Sequence, residues 1–417
     1  MTLWRGSSSG CPCPSRGRLV RRLWLRSAIL MALLGYILAS PELLLLAGLL
    51  AVAYAVAGGL NRGSLAAVGY ARHVLPRRAF AGETVACEIH VENRRRLPLL
   101  WLTTEDRWPN AVAPTATHDL APSHLPDQSE LRLALSLRGR TRARRDYHLL
   151  ARRRGIYSLG PAAARSTDPF ALFRDDGVVA PAERLVIYPP IRPLAALGFQ
   201  SDDPFGSRRA QRRLFDDASQ PMGVRDYASG DSFRDIHWPA TARTGMLQTR
   251  VYQPVAGLDM VVCLNAATYD RHWEGYDPER MEALVETAAA LAVQALEAGH
   301  RVGLISNGSI ARSGRPFRIP PGRAPGQLSL LLECLAGLTP IVKAPFGSYL
   351  LAQAPSLAYG STLIVITALT PPSILEALVQ LRAHGRRTRL VSLAKSAPPF
   401  LPGIPSTHLP PISGDHG

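Results

Sequence analysis

LDMVVCLNA, residues 258–266, is followed by PERMEALVETAAALAVQALEAGH, residues 278–300. The first is a continuous apolar run, the pattern of a strand buried on both faces. The second carries Met281, Leu284, Val285, Ala288, Leu291, Ala292 and Ala295 at helical spacing, with Pro278 at its start and Gly299 beyond its end. A buried strand feeding an amphipathic helix predicts an α/β unit, and the pattern repeats downstream. RVGLIS (301–306), STLIVITAL (361–369) and RTRLVSLA (387–394) read as strands. GQLSLLLECLAGL (326–338) and PPSILEALVQLRAHG (371–385) read as helices. The expectation over 258–395 is a doubly wound parallel sheet. The Pro-rich stretch 396–417 is expected to be a disordered tail.

Ligands of such sheets bind at the carboxyl ends of the strands, which directs attention to LNAATYD, residues 264–270. No Gly-rich phosphate loop is present there, so nucleotide binding has no support.

Upstream, residues 75–190 show little helical periodicity. TVACEIHVEN (84–93) alternates apolar and polar residues as a half-buried strand does. PLLWLTTEDRW (98–108), LRLALSLRGR (131–140), RARRDYHLLARR (142–153) and RGIYSLGP (154–161) are further short runs between turn residues. They predict a small β-rich domain of immunoglobulin-like type, although the Cys-Trp-Cys spacing of a true immunoglobulin domain is absent.

From Ser27 to Leu60 the chain is almost uninterruptedly apolar, with Ser40-Pro41-Glu42 in the middle. A bilayer helix needs about 20 apolar residues. The reading is a transmembrane helical hairpin over 23–60, turning at the proline, behind a disordered basic leader over 1–22. Arg16, Arg18, Arg21, Arg22 and Arg26 precede the first span, Arg62, Arg72, Arg77 and Arg78 follow the second, and the turn has no Lys or Arg. That asymmetry predicts both termini and the soluble body in the cytoplasm. A cleaved signal peptide is the alternative, but the apolar run is too long for one h-region.

Of 48 basic residues all but Lys343 and Lys395 are Arg, and the formal net charge is +16. The excess is concentrated in residues 1–26 and in 132–154, where nine Arg meet one acid, Asp146. Such a run is either a solvated face or a contact for anionic lipid, nucleic acid or an acidic partner. Arg142, Arg144, Arg152, Arg153 and Arg154 are the candidate contacts. Little aromatic interleaving accompanies them, which disfavours base stacking and hence nucleic acid. The five cysteines are odd in number and scattered, as in a reducing compartment.

The segment 191–257 reads as a connector, and its core is VRDYASGDSFRDIHWPATARTGMLQTR, residues 224–250. This stretch resembles the signature of the bacterial family known as domain of unknown function 58. The matching residues are Arg225, Tyr227, Gly230, Asp231, Arg234, Ile236, Trp238, Ala242 and Arg243. RRRGIYSLGP, STDPFALF and LVIYPP are similar to the family's upstream elements. The resemblance implies a β-rich domain followed by a von Willebrand factor type A-like domain. It also implies a membrane anchor and a partner among MoxR-type AAA ATPases. Domains of that type often hold Mg²⁺ through Asp-x-Ser-x-Ser after the first strand; here the aligned positions are Asn265, Ala267 and Tyr269, so no metal or other cofactor is expected.

Asp231, Asp235 and His237 could suggest a metal or acid–base cluster, but the residues that would complete one are not evident. No nucleophile elbow is present, so the expected protein is not an enzyme. Arg225, Arg234 and Arg243 could pair with Asp226, Asp231 or Asp235. The segment is then either an internal buckle between the two domains or a docking surface centred on Trp238. The function expected is a non-enzymatic, membrane-anchored adaptor. Lipid or nucleic-acid binding through the Arg-rich strands, or an unrecognised hydrolase, are the competing readings.

Overall fold

The computed structural model describes residues 15–115, 118–199, 216–228, 233, 236–254, 259–271, 275–310, 316–357 and 360–409. The chain forms two compact units, Met1–Ile187 and Tyr188–Gly417.

The first unit opens with two helices, α1 (Ser15–Ile37) and α2 (Pro41–Asn61). Pro41 sits in the first turn of α2, where a missing N–H costs nothing. The pair packs closely: Gly35 lies against Leu43 and Leu44, and Trp24 Nε1 donates to the Leu50 carbonyl at 3.2 Å. Ile29, Leu33, Leu45, Leu49 and Val52 are exposed, which an aqueous helix pair would avoid. Among the described residues one helix, the stretch Pro41–Ala67 containing α2, is long and apolar enough to cross a membrane. The basic leader expected to end at residue 22 is shorter than that, because α1 already begins at Ser15. Arg is a good helix former, so a helix runs past the apolar stretch that nucleates it.

Among the described residues eleven strands follow: β1 (Val68–Leu75), β2 (Arg78–Phe80), β3 (Thr84–Asn93), β4 (Leu99–Pro109), β5 (Leu120–Pro122), β6 (Gln128–Leu137), β7 (Arg142–Leu150), β8 (Gly155–Leu159), β9 (Ala162–Thr167), β10 (Arg174–Ala180) and β11 (Glu183–Tyr188). They assemble as three sheets, ordered β1-β3-β7, β10-β9-β4-β6-β5 and β2-β11-β8. The alternation in TVACEIHVEN is the cause of its geometry: Val85, Cys87, Ile89 and Val91 point into a core shared with Leu102, Trp108, Leu131 and Leu149. That core also holds ionic groups. Arg72 Nε meets Asp106 Oδ2 at 2.9 Å, Tyr70 donates to the same oxygen at 2.9 Å, and Arg72 Nη1 donates to the Leu159 carbonyl at 2.9 Å. Burial pushes the Asp106 carboxyl above the usual range, and Arg72 pulls it back.

The second unit begins with an antiparallel ribbon, β12 (Asp216–Asp226) and β13 (Gln248–Pro254), with the short helix α3 (Trp238–Thr244) between them. The remaining elements are β14 (Asp259–Leu264), α4 (Pro278–Glu297), β15 (Arg301–Ile310), β16 (Pro316–Gly322), α5 (Gln327–Ala336), β17 (Leu338–Thr339), α6 (Phe346–Gln353), β18 (Thr362–Thr367), α7 (Pro372–Ala383), β19 (Arg387–Ser392) and β20 (Ser406–His408). All seven apolar residues of the predicted α4 stripe are buried. Val261, Cys263, Ile305, Val365 and Leu390 meet Phe346, Leu350, Ile374 and Leu378 in one core cluster.

The main sheet runs β16-β15-β14-β18-β19-β20, with β17 also on β15. The sheet is mixed, not wholly parallel as expected: β16 and β17 pair with β15 antiparallel. PFRIPPG, the sequence of β16, contains three prolines, which an edge strand tolerates and a central one does not. Leaving out β17, the order by appearance is third, second, first, fourth, fifth, sixth, the doubly wound arrangement. The expected disordered tail is also overturned up to Leu409. β20 pairs parallel to β19, Ile404 and Leu409 are buried, and the Leu409 N–H reaches the Ser392 carbonyl at 2.9 Å.

Candidate functional site

Two places repay attention: the carboxyl ends of the central strands, and the ribbon that carries the signature residues.

At the strand ends, Asn265 is buried just after β14. Its Nδ2 donates to Thr367 Oγ1, at the end of β18, at 3.0 Å. Its Oδ1 accepts from the Ala267 N–H at 3.1 Å and from Asn307 Nδ2 at 3.1 Å. Asn307, fully buried on β15, accepts from the Ala266 N–H at 2.9 Å and donates to the Ala344 carbonyl at 3.3 Å. Thr367 Oγ1 donates onward to the Leu369 carbonyl at 2.7 Å. Neighbouring Thr268 is buried and accepts from the Asp277 N–H at 2.8 Å, and Asp277 caps α4. The polar groups buried at these strand ends are neutral amides and hydroxyls that satisfy one another. Ala267 supplies no donor atom and Tyr269 is exposed. Among the described residues no cluster of three His, Cys, Asp or Glu could hold a metal ion.

On the ribbon, Ile236 is buried and bridges to Thr249. The His237 N–H donates to the Gln248 carbonyl at 2.8 Å, while His237 Nδ1 caps α3 by accepting from the Ala240 N–H at 3.0 Å. Thr241 Oγ1 accepts from the Gln248 N–H at 3.0 Å, and Gln248 donates to the Asp226 carboxylate. The Tyr227 and Phe233 rings lie 5.5 Å apart. His237 is therefore a helix cap here, with its ring nitrogen committed. Arg225 donates to the Asp226 carbonyl at 3.1 Å, and Ala242 and Arg243 are exposed. Gly230, Asp231, Arg234 and Asp235 lie outside the described residues. Trp238 is 65% exposed, with Phe233, Met246, Leu247 and Val224 also outward.

The Arg-rich run divides. Arg144 pairs with Glu88 and Asp146, each at 2.8 Å, and Arg142 faces Glu92 across the ladder at 3.5 Å. Arg152 and Arg153 are exposed, whereas Arg154 is buried and so is not presented to a surface. The acids of β3 were fifty residues away in sequence, and only the strand register brings them opposite.

These features define a protein with an apolar amino-terminal helix, a β-rich region and a mixed α/β sheet preceded by a ribbon. Residues 223–394 match the family described as protein of unknown function DUF58. No curated protein matches. Among solved structures, a cohesin module of a family 33 glycoside hydrolase from Clostridium perfringens is 10% identical, covering 29% of this chain and 96% of its own at TM-score 0.23. A sporulation control protein from Bacillus subtilis is 9% identical over 29% of this chain and 49% of its own, TM-score 0.18. Likenesses this slight carry no argument about function.

Proposed function

We propose that the protein is a non-enzymatic adaptor anchored in the bacterial plasma membrane, with both termini and the soluble body cytoplasmic. It presents a von Willebrand factor type A-like unit to a protein partner, a MoxR-type AAA ATPase. The observation that carries the reading is the set of outward apolar side chains on the signature ribbon. Phe233, Trp238 and Met246 are each more than half exposed, and a monomeric surface gains nothing from them. This favours docking over an internal buckle for the segment's described part. The third-second-first-fourth strand order with its antiparallel edge supports the type A-like assignment. The Asn265–Asn307–Thr367 network supports binding without a cation. Both α1 and α2 cross in this reading, with basic residues on the cytoplasmic side.

The test is affinity purification of the detergent-solubilised full-length protein from its native host, with and without ATP. Enrichment of an AAA ATPase that is lost on Trp238→Ala supports the adaptor. No ATPase under either nucleotide condition overturns it. A reporter fused after Gly417 checks the topology: activity of a cytoplasmic-type reporter is expected, and activity of a periplasmic type refutes the orientation.

A further inference from the structure

The two helices meet the β region of their own unit through a collar of aromatic and arginine side chains. We infer that this collar is immersed in an anionic phospholipid bilayer, reaching from the headgroups into the outer part of the acyl chains. The inference rests on α2 crossing the membrane, as proposed above.

The contacts are specific. The Trp24 ring of α1 lies 5.8 Å from Phe170, and the Tyr54 ring of α2 lies 5.2 Å from Phe173. Phe173 also covers Gly58, where an added Cβ would stand 3.2 Å from the ring. The Arg21 guanidinium lies 5.8 Å from the Phe173 centroid. At the end of α2, Arg95 donates to the Leu60 carbonyl at 2.9 Å and to the Gly59 carbonyl at 3.3 Å.

Length decides the depth. α2 has 21 residues. At 1.5 Å per residue that is about 31 Å, against a hydrocarbon core of about 30 Å. Every turn of α2 is needed to cross. Tyr54 lies two turns short of Asn61, about 10 Å along the axis. A loop packed on Tyr54 and Gly58 therefore cannot stand clear of the bilayer.

The outward face of the collar suits that position. Phe170, Leu97 and Trp101 are 47%, 44% and 57% exposed, and Arg62, Arg94 and Arg96 are exposed as well, Arg96 next to Leu97 in the chain. Their chain neighbours adjoin: Trp101 pairs with Thr167 in the β4–β9 ladder, and Pro98, Leu100 and Asp168 line one recess with Leu60 and Asn61. The loop's acid is turned inward, with Asp168 buried and accepting from the Phe170 N–H at 2.9 Å. The outward acids nearby are each paired with arginine: Glu92 reaches Arg94 at 3.6 Å, and Asp176 reaches Arg165 at 2.9 Å and Arg174 at 2.8 Å. Aromatic rings with arginines at their edge are the composition of a membrane interface. The Arg95 bonds also give the carbonyls of α2 the donors that a helix end lacks where water is scarce.

The test uses the full-length protein in vesicles of phosphatidylcholine and phosphatidylglycerol, with bromine on the acyl chains as a contact quencher. Tryptophan emission is compared among wild type, Trp101→Phe and Trp24→Phe, so that each difference isolates one residue. Quenching of Trp101 comparable to that of Trp24 is expected. Trp24 quenched with Trp101 untouched refutes the collar while leaving the anchor standing. Neither quenched refutes both. Placing the bromine on phosphatidylglycerol alone should quench Trp101 about twofold more than on phosphatidylcholine at equal mole fraction, because basic residues enrich anionic lipid. Equal quenching refutes the anionic preference. Replacing Arg94 and Arg96 by Gln should erase the difference.

Discussion

Asn265, just past the end of β14, and Asn307, on the neighbouring parallel strand β15, share an amide hydrogen bond of 3.1 Å at the carboxyl edge of the sheet. Each amide also holds a backbone N–H of the turn that leaves β14. Asn307→Ala removes the acceptor of the Ala266 N–H and leaves buried groups unsatisfied. A loss of about 2 kcal/mol is expected, read as a lower midpoint in denaturant. Magnesium should give no heat on titration into the wild type, and a saturable signal would overturn the reading of the site as a self-satisfied network.

On the ribbon the two halves of the signature respond differently. Ile236→Ala empties a buried position and should cost about 2 kcal/mol or more. Trp238→Ala, on an exposed ring, should move stability by less than about 0.5 kcal/mol while removing partner capture. A Trp238 variant that melts early would make that residue part of a junction.

Where the helices join the β region, Arg95→Ala strips donors from the Gly59 and Leu60 carbonyls. A destabilisation of about 1–2 kcal/mol is expected, seen as a lower thermal midpoint of the detergent-solubilised protein. Gly58→Val should act in the same direction by pushing Phe173 off α2. Unchanged midpoints for both would mean that these contacts are not held in solution.

The pH response of the β region has a defined sign. Burial raises the Asp106 carboxyl above its usual 3.8. The folded state then binds this proton more tightly than the unfolded state, so the contribution is fully present below 3.8 and is lost as pH rises through the folded pKa. Asp106→Asn should abolish that part of the slope of stability against pH. A slope retained in the variant would assign it to another group.

Thiol chemistry offers a separate check. Burial pushes the Cys87 thiol up to about 12, and Cys263 is raised still further by the same cause. At pH 8 roughly one Cys87 in ten thousand is thiolate, so alkylation should spare both cysteines until the protein unfolds. Mass spectrometry after brief labelling reads this directly, and native modification of Cys263 would mean that its strand opens.

The elements legible in the sequence were those whose burial is local in pattern. The strand LDMVVCLNA and the α4 stripe announce themselves because both faces, or one whole stripe, must be apolar. The antiparallel β16 was hidden by its prolines, which argue against a strand until one knows it lies at an edge. Asn307 was invisible for a different reason. Its partners are set by the register between β14 and β15, where Leu264 stands opposite Ser306, and no short-range pattern encodes that pairing. Likewise Arg142 and Arg144 look like a bare basic patch until β3 supplies Glu92 and Glu88 from across the sheet.

β20 lies beyond residue 394, where the DUF58 match stops, yet it supplies the sheet's last strand. It covers backbone groups of β19 that another chain could otherwise recruit by strand addition. A polypeptide halted at Ala394 would keep every matched residue and still gain a sticky flank, so its tendency to self-associate would reflect the truncation and not the protein's native assembly.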